Sequence, residues 1–149
     1  MMADTDDFKA GLLRMFGAVT RKARTLFDAR TRDFDLTEAR ARLLLHLARS
    51  GPLTQGELAE AMEVERPTMA RLIDGMETGG MVRREVVPGD RRQRRIVLTP
   101  AAQGQAEAVL ALTEHLCAEI LADIPDEDLA VAHRVLCRML DNLAAAGRP

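Results

Sequence analysis

The chain has 149 residues, 47% apolar and 30% charged, with a formal net charge of −2. That length supports one core and not two, and the balance excludes a disordered tail or a fibrous repeat. Unbroken apolar runs such as 43–45 reach only a few residues, far short of the roughly 20 that span a bilayer. Residues 1–11 carry Asp4, Asp6 and Asp7 and lack the basic start and hydrophobic run of a leader, so a cytoplasmic protein without a membrane partner is expected.

Phe8, Leu12, Met15, Phe16, Val19, Ala23, Leu26 and Phe27 recur at steps of three and four, which predicts a first amphipathic helix. All four aromatic residues (Phe8, Phe16, Phe27 and Phe34) lie in the first 34 positions, so the rest of the core must be aliphatic and methionine. Thr37 caps a second helix with Leu43, Leu44 and Leu47 on one face, and Ser50-Gly51-Pro52 ends it. Thr54-Gln55-Gly56-Glu57 reads as a capping box that starts a short third helix ending near Met62. A fourth begins at Arg66-Pro67, where the missing proline N–H costs nothing. Its core side is Met69, Leu72, Ile73 and Met76, and Gly79-Gly80 supplies a left-handed stop. From Met81 the period changes to two. Val82–Val87 and Arg95–Thr99 then form a hairpin around Pro88-Gly89-Asp90. Thr99-Pro100 opens a fifth helix with Val109, Leu112, Leu116 and Ile120 in one stripe. Pro125 breaks it, and a sixth helix from about Glu127 carries Leu129, Ala132, Leu136, Met139, Leu140 and Leu143.

Charge is uneven along this order. Residues 1–53 sum to +3, 54–63 to −3, 64–99 to +3 and 100–149 to −5. The stretch 82–95 holds Arg83, Arg84, Arg91, Arg92, Arg94 and Arg95 against Glu85 and Asp90. Such a local basic patch on a mildly acidic chain points to a polyanion met by one surface. A solvated hairpin is the bland alternative.

A capped short helix, a tight turn, a second helix and a basic hairpin make a winged helix-turn-helix, whose second helix fits a major groove about 12 Å wide. Leu53-Thr54-Gln55-Gly56-Glu57-Leu58-Ala59, Arg66–Asp74, Gly80-Met81-Val82-Arg83-Arg84 and Gly89-Asp90-Arg91-Arg92 leading into Leu98-Thr99 resemble the multiple-antibiotic-resistance regulator (MarR) family. The specific match covers roughly residues 36–100.

The resemblance implies a mainly α fold with a small β-hairpin (α+β), forming one MarR-like domain over 1–149. Its winged helix-turn-helix spans 36–99, flanked by dimerisation helices at 5–34 and 100–146. It also implies a homodimeric regulator, most often a repressor, bound to a pseudo-palindromic operator in double-stranded DNA and released by a small-molecule effector, an anionic aromatic compound being one class. Carried over by position, Arg66, Thr68 and Arg71 face the major groove. Asp90 orients Arg92 or Arg91 for the minor groove, and Arg94 meets phosphate. Arg14, Met15 and His46 are candidate effector contacts, and Leu12, Leu129, Leu136, Leu140 and Leu143 candidate dimer contacts. Glu65 departs from the family's small capping residue, and Ala41 stands where many relatives carry a large aromatic.

Other readings stay open. His115, Cys117, His133 and Cys137 raise a metal- or thiol-responsive regulator of the same fold, because His133 and Cys137 are four apart on one helix face. His115 and Cys117 point nearly opposite ways, so no metal site and no cofactor is expected, and both cysteines are expected buried as small hydrophobes. A winged helix used only for protein contacts is a further alternative. An enzyme is not expected: there is no phosphate-cradling glycine loop, no nucleophile elbow and no His-Glu-x-x-His.

Overall fold

The computed structural model describes residues 2–147, so Met1, Arg148 and Pro149, the ends of the 1–149 unit read from sequence, lie outside the described residues. Six helices and three strands follow in order: α1 (Met2–Thr31), α2 (Glu38–Ser50), β1 (Leu53–Thr54), α3 (Gln55–Met62), α4 (Arg66–Thr78), β2 (Val82–Val87), β3 (Asp90–Leu98), α5 (Gln103–Ile120) and α6 (Asp126–Ala146). Short 3-10 turns occupy Arg32–Phe34 and Pro100–Ala102. Contacts group into two compact units, Met1–Leu116 and Cys117–Pro149.

In the first unit the core is aliphatic and methionine, as the aromatic-poor composition requires. Ala41, Leu43, Leu44 and Leu47 of α2 are buried with Leu58 and Met62 of α3, Met69, Ile73 and Met76 of α4, Val82, Ile96, and Ala106 and Val109 of α5. Phe27 and Phe34 pack at its edge, whereas Phe8 is 69% exposed. In the second unit α6 buries no residue at all.

Three strands form one antiparallel sheet in the order β1-β3-β2. β1 pairs Leu53 with Ile96 and Thr54 with Arg95, which places β3 in the centre at the root of the hairpin. Sequence periodicity misses β1, because two half-buried residues are too few to show a period. It also starts β3 five residues late. The strand begins at Asp90, not Arg95, since the exposed residues 90–94 carry no alternation of apolar and polar side chains to betray a strand. Two smaller corrections concern helix ends. The left-handed residue after α4 is Gly80 (φ 72°), while Gly79 stays at φ −75°, and Thr99-Pro100 opens a 3-10 turn before α5 begins at Gln103.

The helix starts form as their residues dictate. Thr37 Oγ1 accepts from the Arg40 amide. At α3, Thr54 Oγ1 accepts from the Glu57 amide at 3.2 Å while Glu57 Oε2 accepts from the Thr54 amide at 2.7 Å and its hydroxyl at 2.9 Å. This reciprocal box satisfies N–H groups that the first turn cannot bond internally. Those bonds, the backbone one foremost, hold the Glu57 carboxyl below the usual glutamate range.

A group whose folded pKa is depressed contributes stability above its unfolded pKa and loses it as pH falls through the folded value. Thr54→Ala is therefore expected to lower stability by about 1 kcal/mol at neutral pH. The deficit of Glu57→Ala should shrink on acidification from about pH 7 to about pH 3.5, read as urea unfolding midpoints, because the wild type then loses what the variant never had.

Candidate nucleic-acid interface

Burial of one stripe of α4 decides what the other presents. Met69, Ile73 and Met76 are all fully buried, so Thr68 and Arg71 are exposed on the outer side, while Arg66, on the line of the buried stripe one turn before Met69, is exposed because it starts the helix. Arg66 occupies the first turn, where a cation opposes the helix dipole and helix stability gives no reason for it. Glu65 is the residue preceding that turn, and its side chain makes no capping hydrogen bond. The first-turn amides of α4 are thus left to solvent or to an anion.

Two contacts set the approach to α4. Glu63 takes the left-handed conformation (φ 54°) that ends α3, and its amide donates to the Ala59 and Glu60 carbonyls. Arg42 of α2 donates to the last α3 carbonyl, Met62 O, at 3.2 Å, and lies 3.5 Å from Glu38. The wing is closed at its base by Thr99, whose hydroxyl donates to Gly80 O at 2.5 Å and accepts from the Ala102 amide at 3.3 Å.

Ion pairing divides the six wing arginines into two groups. Arg83 donates to Glu85 through Nε at 3.0 Å and a terminal nitrogen at 2.7 Å, and Arg95 reaches the same carboxylate at 3.6 Å. The Arg83 hydrogen bond is the chief reason the Glu85 carboxyl titrates below its ordinary range. Arg84 leaves the hairpin altogether and pairs with Asp74 and Glu77 of α4. Burial pulls its pKa down, and the hydrogen bonds and charges of those two carboxylates more than reverse that. Among the described residues no carboxylate pairs with Arg91, Arg92 or Arg94, all exposed.

Those three sit where the ladder is irregular. Val86 pairs with Arg94 but Val87 pairs with Asp90, so residues 91–93 have no partners across the hairpin. Asp90 does meet Arg92, though at its backbone amide (2.9 Å) and not its guanidinium. The carboxylate therefore fixes the chain at the tip and leaves the arginine head free. Arg84's partners were beyond sequence reasoning, which saw one more charge in a basic run.

The remaining sequence candidates fall elsewhere. Arg14 and Met15 line an open groove of about 600 Å³ along α1, with Phe8, Leu12 and Arg21. His46 does not line it. It is half-buried on α2, where burial first and then Arg42 and Arg49 hold its imidazole below the usual range. Leu12, Leu136, Leu140 and Leu143 are exposed, the last two by 66% and 67%, and Leu129 is partly exposed. Cys117 and Cys137 are both exposed, which corrects the expectation that they are buried. The reason lies in α6, which offers no buried position for Cys137. Cys137 Sγ lies 3.8 Å from His133 Nε2. Among the described residues no three metal-ligating side chains converge, and no helix is long and apolar enough to cross a membrane.

The MarR family model matches residues 34–93, from the end of the first 3-10 turn to the wing. The crystal structure of transcriptional regulator PA3341 is 38% identical, covering 90% of this chain and 98% of its own, with a TM-score of 0.85. Two more distant structures share the fold. The transcription regulator MarR from Oenococcus oeni PSU-1 is 22% identical over 87% of this chain and 98% of its own, with a TM-score of 0.74. The S. aureus MepR–DNA complex is 23% identical over 87% of this chain and 96% of the matched chain, also at 0.74.

Proposed function

This chain belongs to the MarR family of DNA-binding, non-enzymatic transcriptional regulators, and we propose that it works as a homodimeric repressor released from a pseudo-palindromic operator by a small molecule. Residues 36–99 read DNA, and 5–34 with 100–146 form the dimer. One observation carries the DNA reading: among the described residues no carboxylate pairs with the exposed arginines of α4 (Arg66, Arg71) or of the wing tip (Arg91, Arg92, Arg94), while the other wing arginines are paired. Unpaired guanidinium groups reach phosphate or base edges without first breaking an ion pair.

Arg66, Thr68 and Arg71 enter the major groove, where a guanidinium fork bonds guanine O6 and N7. Arg92 or Arg91, on a tip steadied by Asp90, enters the minor groove, where narrow A·T tracts concentrate negative potential. Arg94, one pair further back in the ladder, meets phosphate. Dimerisation is supported by large apolar side chains left in solvent on α1 and α6, among them Phe8, Leu13, Met15, Leu140 and Leu143. Exposed apolar surface of this kind marks an interface. Effector binding is supported by the family, with Arg14, Met15 and His46 as the candidate contacts. By linkage, operator DNA must weaken effector binding by the same factor that effector weakens operator binding.

The DNA reading is tested on duplexes selected by the protein from a random pool. Arg92→Ala should cost about 1–3 kcal/mol and flatten the preference for A·T at the flanks. Arg94→Ala should weaken all sequences alike and lower the log–log salt slope by about 1. Arg71→Ala should change preference inside each half-site. Unchanged affinity and salt slope with alanine at both Arg91 and Arg92 would overturn the wing's role and favour a module for protein contacts.

For the dimer, Leu136→Asp places a charge on the exposed apolar side of α6. In sedimentation it should give a monomer with operator binding lost, because the two recognition helices must lie about 34 Å apart on one duplex face. A stable dimer of full affinity would remove α6 from the interface.

A further inference from the structure

Arg84 is the wing arginine that ties the hairpin to another element. One terminal nitrogen donates to Asp74 Oδ1 at 2.6 Å, the other donates to Glu77 Oε2, and the Arg84 backbone amide donates to Glu77 Oε1 at 3.0 Å. Asp74 and Glu77 lie three residues apart on α4, one turn, so both carboxylates meet a single guanidinium. Arg84 sits opposite Ile96, which is buried, and the third strand β1 ends at the Arg95 level just beyond. Past that level the wing is a two-stranded ribbon with an irregular ladder, a unit with little stability of its own. Among the described residues, Arg84 is therefore the outermost wing residue joined to α4 by hydrogen bonds and ion pairs.

We propose that Arg84 is a positioning residue for DNA recognition: clamped between Asp74 and Glu77, it makes α4 and the wing one rigid body, so half-site and flanking bases are read only at one fixed spacing. The proposal rests on the DNA reading of α4 and the wing given above. It differs from a simple role in charge. If Arg84 only masked Asp74 and Glu77 from phosphate, removing those carboxylates would help binding. If it positions the wing, their removal must loosen recognition even though the helix becomes more positive.

The test uses a duplex selected by the full-length wild-type protein and a second duplex with one base pair inserted between each half-site and its flank. The wild type should bind the second about tenfold more weakly, as for one misread base pair. Arg84→Met should bind the first duplex more weakly and show an insertion penalty below about twofold. Asp74→Asn/Glu77→Gln, altering two side chains that are 66% and 38% exposed and so sparing the core, should lose the penalty in the same way. Arg84→Lys, which keeps the charge without the fork, should fall between. Tighter binding by Asp74→Asn/Glu77→Gln with the penalty intact would overturn the clamp in favour of charge masking. A penalty kept in full by Arg84→Met would overturn it while leaving the wing's DNA contacts standing. No penalty in the wild type would overturn the clamp, and the salt slope of the Arg91 and Arg92 alanine variants then decides separately whether the wing touches DNA.

Discussion

The buried stripe of α4 is the constraint from which the proposed DNA-reading surface follows. Met69, Ile73 and Met76 are fully enclosed by α2, α3 and the root of the sheet. Each such side chain contributes on the order of 1.5–3 kcal/mol by leaving water, so a rotation of α4 about its axis that exposed all three would cost a large part of a domain's net stability of about 5–15 kcal/mol. The rotation of the helix is thereby fixed, and with it the outward direction of Thr68 and Arg71. Specificity in a recognition helix depends on angles of this kind, and here hydrophobic burial on the far side sets them.

Much of this was legible in the residues. The capping box at Thr54 and Glu57, the proline at the start of α4 and the caps at Thr37 and Thr99 are local signals, each complete within four residues, and all form. The helical stripes of α2 and α4 are periodic over three turns or more and were equally readable. What escaped were features without local periodicity. β1 is two residues long, and β3 runs through five exposed polar positions where a strand and a charged loop look alike. The exposure of the cysteines escaped for another reason, since residue type predicts burial only where a helix has a covered face: α6 buries no residue around Cys137, and Cys117 lies just past Leu116, the last buried position of α5.

The charge pattern shows the same limit at the interface. Sequence alone gives six arginines and two acids between 82 and 95, a patch of net positive charge. It cannot say which guanidinium groups are already engaged, because Asp74 and Glu77 lie seven to ten residues away from Arg84 on a different element. Only the fold separates Arg83, Arg84 and Arg95, which hold the hairpin, from Arg91, Arg92 and Arg94, which face outward unpaired. The role of Asp90 was legible as to its partner, Arg92, but not as to the atom, since a carboxylate two residues before an amide closes a turn as readily as it meets a side chain.

The acids inside the basic wing have a physical function of their own. Six guanidinium groups on one short hairpin would repel one another in the absence of DNA, and such a hairpin would have to be ordered on binding at an entropic cost. Glu85 lies directly across from Arg95 in the ladder and also binds Arg83, so it offsets like-charge repulsion within the sheet and across it. Asp74 and Glu77 do the same for Arg84 from the helix. Each carboxylate lowers the wing's total positive charge and thus the counterion-release gain available from phosphates. In return the wing is folded in the free chain, with the arginines that pair with no carboxylate among the described residues gathered at the tip and the paired ones at the root. Raw charge would give stronger binding to any duplex. On the proposed reading, charge arranged in this way favours the particular duplex whose grooves lie where the domain holds its arginines.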